Sequence, residues 1–309
     1  MTGELLFAAG VPEIVLQIGV DRLVQGLYAG ISFGMILVLT AMGLSLVFGL
    51  MGVVNFAHGN LYAAGAYCGF VAYGLTGSFL GALVGAAIGG AVVGALLELL
   101  VIRPVYDRDP VYQMPLTFGA AIIIIESLKL FLGSDSKPFP IPDLFSGTFG
   151  VLGYNFGLYR LFLVFAGVVL VGSLWLLLSR TKYGLVIRAA INDTEMVQSM
   201  GYNVYRTYTL LFALGAVYAA LAGILISPLF GLFPEMGTEI IILSFIVVVV
   251  GGLGSFKGVV VSGLLMGVVI SLGRVYVPNM AEALPFLLMI AVIAFRPRGL
   301  FGVEGVFTE

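Results

Sequence analysis

Long apolar runs separated by short polar breaks dominate the chain, at about residues 24–51, 61–76, 79–101, 116–132, 158–179, 208–226, 239–253, 258–277 and 284–295. An α-helix rises 1.5 Å per residue, so about 20 apolar residues cross a hydrocarbon layer of about 30 Å, and fewer suffice where protein lines the site. The pattern predicts an all-α fold: a polytopic membrane helix bundle of about 8–10 transmembrane helices, forming a single domain over residues 1–309. The first run, from 24 to 51, is too long for one upright span; it is either one tilted helix or two broken near Gly43. The last is short but ends on a basic stop, Phe295-Arg296-Pro297-Arg298.

One polar interruption stands out, from Arg180 to Arg206. It carries Arg180, Lys182, Arg188 and Arg206, four of the 14 basic residues. Basic residues beside a span resist translocation, so this segment is expected on the cytoplasmic side. Within it, Asn192 and Glu195 have the spacing of a helix-starting capping box, with Asp193 between them, and Gly201 is placed to end the helix. The predicted helix, 193–200, puts Met196, Val197 and Met200 on one face. A short amphipathic helix outside the membrane needs a groove to fill, and the expected groove belongs to another protein.

The same charge rule orients the whole chain. With 180–206 inside, nine basic residues fall in the cytoplasm (Arg103, Arg108, Arg180, Lys182, Arg188, Arg206, Lys257, Arg296, Arg298) and three outside (Lys137, Arg160, Arg274). The C-terminus is then cytoplasmic; a single first span puts the N-terminus outside, and two put it inside. Glu4 and Glu13 stand where a cleaved signal peptide would carry basic residues, so the first span itself is expected to direct insertion. Gly133 to Gly157, with Pro138, Pro140 and Pro142, is too polar to span; it is read as an external loop, long enough to contact a partner.

Composition agrees: 61% hydrophobic, 10% charged, mean hydropathy +1.14. A net charge of −2 with no basic block excludes a nucleic-acid partner. The single cysteine, Cys68, cannot form an internal disulfide and reads as a small buried hydrophobe. One His and one Cys make a metal centre implausible, and no nucleophile, base and orienter can be assembled. The phosphate-binding pattern G-x-x-x-x-G-K-[ST] is missing, so neither a nucleotide site nor any other cofactor is expected in this chain. Small residues four apart, Gly81/Gly85/Gly89, Gly65/Gly69 and Gly263/Gly267, predict close helix crossings.

Polar positions inside the apolar runs are the candidates for function. The first run ends at Asn55-Phe56-Ala57-His58-Gly59, which holds the only histidine; a glycine-flanked break of this kind is how transporters expose polar groups to cargo. In the second half, Gly251-Gly252-Leu253-Gly254-Ser255 again joins two runs, and Gly52 and Phe56 match Gly252 and Phe256 at an offset of 200, a faint internal repeat. Glu126 and Lys129 can pair on one helix face, and Glu98 is placed to reach the headgroups.

Asn55-Phe56-Ala57-His58-Gly59, Gly251-Gly252-Leu253-Gly254-Ser255 and the terminal Arg296-Pro297-Arg298-Gly299-Leu300-Phe301-Gly302 together resemble the LivH-type permeases of branched-chain amino-acid ABC importers, over about Leu23 to Gly302. The resemblance implies a permease that works with a second, LivM-like permease, two cytoplasmic ATP-binding subunits and an extracytoplasmic substrate-binding protein, in the cell (inner or plasma) membrane among its lipids. Glu195-Met196-Val197 followed by Gly201 resembles the importer coupling motif, E-A-A with a later glycine; the glutamate and glycine match and the two alanines do not. Arg188, Asn192, Asp193, Glu195, Met196 and Gly201 are thus the expected coupling residues, and Ser45, Asn55, His58 and Ser255 the candidate lining of the path. That lining offers hydrogen bonds without a fixed charge pair, which suits branched-chain amino acids and also urea or short amides. An ATP-independent carrier or channel would need an ion-coupling carboxylate in mid-membrane, where only Glu126 offers itself beside Lys129.

Overall fold

The computed structural model describes residues 4–106, 108–151 and 153–302, with side chains from Gly19 onward except those of Leu50, Pro110, Ile191 and Asn192. Eleven α-helices are described: α1 (Glu4–Met51), α2 (His58–Thr76), α3 (Phe79–Leu97), α4 (Pro110–Leu132), α5 (Leu158–Arg180), α6 (Lys182–Asn192), α7 (Thr194–Ser199), α8 (Val204–Phe230), α9 (Met236–Gly251), α10 (Phe256–Tyr276) and α11 (Leu284–Phe295). A π-helical turn, Glu98–Ile102, and a 3₁₀ turn, Arg103–Val105, continue α3. Among the described residues six segments are long and apolar enough to cross a membrane: Gly19–Gly49, Phe79–Val105, Val111–Leu132, Leu158–Arg180, Val204–Phe230 and Phe256–Tyr276. The shorter α2, α9 and α11 complete the bundle.

The first run is one helix, not two. Gly43 does not break α1; its missing side chain lets the α1 backbone press against Gly215 of α8 and the ring of His58. Two central helices organise the rest: 78% of the best apolar window of α1 and 67% of that of α8 is buried, against 17% for α4 and α5. α1 crosses α10 through facing glycines, where a Cβ on Gly34 would lie 2.9 Å from the Leu264 Cα and one on Gly30 2.7 Å from the Val268 Cα. Lipid gives apolar helices no reason to prefer one another, so such backbone contact supplies the packing attraction. The predicted small-residue sets do the same work: Gly263 and Gly267 meet α1, while Gly85 and Gly89 meet Ala72 and Cys68. Cys68 is half-buried in that crossing rather than fully enclosed.

At one end of the bundle, Gly133–Gly157 is more than a loop. Thr148–Val151 and Tyr154–Gly157 pair as an antiparallel hairpin. Tyr28 of α1 donates to the Gly157 carbonyl at 2.7 Å and packs edge-on against Phe156, and Phe139 is buried among Phe70, Tyr73 and Phe79. Lys137 exchanges two backbone hydrogen bonds with Leu232, at 2.8 and 2.9 Å, tying this segment to the α8–α9 turn.

At the other end the polar stretch is mostly helical. α6 starts at a Thr181 cap whose hydroxyl accepts from the Gly184 N–H at 3.1 Å, and it buries Ile187 and Ala190 with Val197, Val204 and Leu211 against Leu46 and Met51 of α1. Two of the sequence motifs also meet here: the Leu300 and Phe301 amides donate to the carbonyls of Val250 and Gly251, at 2.8 and 3.0 Å. The matched Gly52 and Gly252 both follow the end of a helix with positive φ, +63° and +99°, but the turns differ in length: Phe56 precedes α2 while Phe256 opens α10.

Candidate translocation and coupling sites

After α1 ends, residues 52–57 turn back so that α2 begins within the bundle. Asn55 shapes the turn: its side-chain oxygen accepts from the Ala57 N–H at 3.0 Å, and the Phe56 N–H donates to Thr117 of α4 at 3.2 Å. His58 lies 3.1 Å, by Nε2, from the Thr40 carbonyl, about three turns before the end of α1. Asn55 and His58 are fully buried, yet Asn55 Nδ2 and His58 Nδ1 have no hydrogen-bond partner. Unpaired polar atoms in an apolar interior cost about 1–3 kcal/mol each, a cost a protein carries where the atoms have another use.

A second helix also starts inside. After α8, residues 231–235 fold back, and α9 begins with Gly237 pressed backbone to backbone on Gly59; a Cβ on Gly237 would sit 2.7 Å from the Gly59 carbonyl carbon. Three more buried, unpaired atoms belong to these two helices: Asn60 Oδ1, Tyr67 OH and Ser244 Oγ. Sequence reasoning missed all three, although Tyr67 and Ser244 are polar letters inside apolar runs and Asn60 directly precedes one. Of the four candidate lining residues, Asn55 and His58 share the α1–α2 turn. Ser255 stands at the α9–α10 turn, where its hydroxyl caps α10 by accepting from the Gly258 N–H at 3.1 Å. Ser45 is buried on α1, between Gly43 beside α8 and Gly49 beside Gly254.

The coupling helix differs in detail from its expectation. α7 runs Thr194–Ser199, and its cap is Asp193, which accepts from the Met196 N–H at 2.8 Å; Glu195 lies in the first turn, so the box expected from Asn192 is shifted by one residue. The Asn192 side chain lies outside the described residues. Asp193 wins because Asn192 is consumed as the last residue of α6. The three apolar residues also part company: Val197 is buried in the α6–α8 cluster, while Met196 and Met200 are 59% and 69% exposed. Gly201, at φ +84°, ends the helix as expected, and Arg188 lies on the exposed side of α6.

Two ionic clusters flank the bundle. Glu98 does not reach toward headgroups. It is fully buried and takes two hydrogen bonds from Arg103, at 3.1 and 3.0 Å, and a third from the Tyr106 hydroxyl at 2.6 Å. Arg103 also donates to Thr209 and stacks over the Tyr205 ring, fastening the π-helical turn to the start of α8. Burial, then the bond to Glu98, raises the Tyr106 hydroxyl above its ordinary range, so it stays protonated and donating. At the hairpin end, Lys129 pairs with Glu126 as expected, at 3.1 Å, and also with Glu235 in the α8–α9 turn, at 2.9 Å. The bond from Lys129 holds the Glu235 carboxyl below its usual range.

Helices that begin partway through an apolar bundle and keep polar atoms there are the mark of proteins that pass solutes across a membrane, so the class is a multi-pass membrane permease. The chain belongs to the family described as branched-chain amino acid transport system / permease component, which it matches over residues 26–293. It is 31% identical to the high-affinity branched-chain amino acid transport system permease protein BraD of Pseudomonas aeruginosa, over 94% of this chain and 97% of that one. It is 28% identical to LivH of Escherichia coli, over 90% and 95%, and 28% identical to a probable LivH of Methanocaldococcus jannaschii, over 94% and 95%. No solved structure matches it.

Proposed function

We propose that this chain is one permease of an ATP-driven importer and carries branched-chain amino acids, the solutes in its relatives' names. Its partners are a second, LivM-like permease that completes the path, two cytoplasmic ATP-binding subunits docked on α6 and α7, and a substrate-binding protein at the hairpin end. The α6–α7 end and the C-terminus are cytoplasmic in this reading, in keeping with the nine-to-three distribution of basic residues. One observation carries it: Tyr183, Leu185, Met196, Met200 and Tyr202 are exposed apolar side chains, all beyond the spanning segments, on a folded attachment. Water gives no reason to display such a set; the cleft of a partner does.

The mechanism follows from two-state reasoning. ATP closes the motor subunits and moves α7; Val197 and the α6–α8 cluster pass that movement to α1 and α8. Because the start of α2 lies between α1 and α8, with the start of α9 against Gly59, their displacement opens or closes the polar turn around Asn55 and His58. Loaded binding protein and ATP each favour a different state, which is what makes the cycle directional. Glu195 and Gly201 set the docking helix, and Ser45, Asn55, His58 and Ser255 offer passing hydrogen bonds.

Reconstitution tests the reading. Vesicles carrying the complete complex, with binding protein and ATP, should accumulate labelled leucine and not urea. Accumulation by this chain alone, or of urea in place of leucine, would contradict it.

A further inference from the structure

Arg274 stands two residues before the end of α10, where a long basic side chain ordinarily reaches outward to water and headgroups. This one turns the other way. Its guanidinium carbon lies 5.9 Å from the centroid of the Phe33 ring on α1. The glycine crossing fixes the depth of that residue: Gly30 meets Val268 and Gly34 meets Leu264, so the Phe33 backbone sits six to ten residues inward of Arg274, about 9–15 Å at 1.5 Å per residue. A phenyl ring cannot cover that distance alone, and the guanidinium is drawn inward along α10 to meet it. A second ring completes the cluster: Phe230, the last residue of α8, has its centroid 6.1 Å from that of Phe33.

The charge in this cluster lacks a counter-ion. Among the described residues the ion pairs are those of Glu98, Glu126 and Glu235, and none includes Arg274. Arg274 and Phe230 are exposed and Phe33 is half-buried. Lipid on that face would hold an unpaired cation against hydrocarbon, so the face belongs to a polar space or to a partner. In the transport reading a second permease completes the path, and one face serves for both. Phe230 also leads directly into residues 231–235, the fold-back that brings the start of α9 against Gly59, so the cluster adjoins the approach to the Asn55–His58 turn from the hairpin end.

A guanidinium presents a planar fork of N–H donors that a carboxylate fills with two parallel hydrogen bonds, and ring faces beside it accept a branched hydrocarbon. Stacking over Phe33 orients the guanidinium and is weak enough to yield it to a carboxylate. We propose that Arg274, Phe33 and Phe230 form a station on the translocation path that binds the carboxylate of an α-amino acid at Arg274 and its apolar side chain against the two rings. The proposal rests on the transport reading and deepens it: it requires a cargo with an anionic group, which urea and short amides lack.

The test uses the complete complex in vesicles, with three measurements on one preparation: labelled leucine uptake, ATP hydrolysis stimulated by loaded binding protein, and subunit ratio. Arg274→Gln should lower leucine uptake at least tenfold, with stimulated hydrolysis within twofold of the parent and the subunit ratio unchanged; Phe230→Ala should lower uptake at least threefold. In a complex otherwise free of cysteine, with Cys68→Ala in this chain, Arg274→Cys should be as impaired as Arg274→Gln. Aminoethyl methanethiosulfonate, which restores a cation there, should raise its uptake at least threefold, and the neutral methyl reagent should not. Uptake by Arg274→Gln within twofold of the parent would overturn the proposal, as would equal recovery with the two reagents or with neither. A fall of stimulated hydrolysis in step with uptake would also overturn it, by placing Arg274 at the contact with the binding protein, and loss of a subunit would do so by making it a contact between permeases. Failure of the unaltered complex to take up leucine would instead overturn the transport reading.

Discussion

The two ionic clusters hold opposite ends of the bundle in opposite ways. At the α6–α7 end Glu98 is completely buried, and Arg103 and Tyr106 together give it three hydrogen bonds. At the hairpin end Lys129 is shared between Glu126 and Glu235, whose side chains are 64% and 50% exposed. A buried, fully satisfied network admits one geometry and is costly to break, whereas exposed pairs are worth only about 0–1 kcal/mol each. The end proposed to receive the motor is therefore fastened, and the end proposed to receive cargo is latched lightly. That asymmetry suits a machine in which force enters through a stiff element and the mouth opens cheaply.

The comparison is broken most severely at the buried end. Glu98→Ala leaves the Arg103 guanidinium without its carboxylate and should cost about 3–5 kcal/mol, seen as a large drop in the melting temperature of the purified protein. The double variant Glu98→Leu/Arg103→Met should melt well above that single variant, because no stranded charge remains. Next comes the α1–α10 crossing: Gly34→Leu forces a side chain against the Leu264 backbone and should cost about 1–3 kcal/mol in the same melt.

A sharper contrast lies within α7. Val197→Asp, placed in the buried cluster, should lower the melting temperature, by about 1–3 kcal/mol of lost packing and unpaired polarity. Met196→Asp on the exposed side should stay within about 0.5 kcal/mol. Yet Met196→Asp is the one expected to lose the ATP-binding subunits on co-purification.

The smallest effect belongs to the latch. Glu235→Gln should change stability by no more than about 1 kcal/mol, discounted for exposure. Its pH dependence has a definite sign. Because Lys129 lowers the Glu235 carboxyl, the stabilisation is complete above the ordinary glutamate range and is lost as pH falls through the lowered value. Melting curves of the parent and Glu235→Gln should therefore converge on acidification.

Much of this was legible in the sequence, for reasons that can be stated. Apolar runs in a membrane must pair their backbone polar groups internally, so all nine predicted segments appear as helices although six are long and apolar enough to cross, and glycines four apart must cross something, as Gly263 and Gly267 do with α1. What stayed hidden depended on distant contacts. α6 was read as loop because Arg180, Lys182 and Arg188 mask the spacing of Ile187 and Ala190, whose apolar partner is the end of α1. Glu98 was sent to the headgroups because nothing local shows that a π-helical turn brings Arg103 and Tyr106 around it. Asn55 and His58 were found because amide and imidazole stand out beside glycine; Asn60 was passed over because only the fold-back after α8 brings the start of α9 to α2. The pairing of the tail with the Gly251–Ser255 turn likewise joins residues that no local pattern connects.

The central claim is that this chain is moved through α7 by separate motor subunits. Leucine uptake and ATP hydrolysis, measured together in vesicles carrying the complete complex with Glu195→Ala, test it most directly. Hydrolysis should continue near the parent rate while uptake falls at least tenfold. Uptake that keeps pace with the parent would contradict the account.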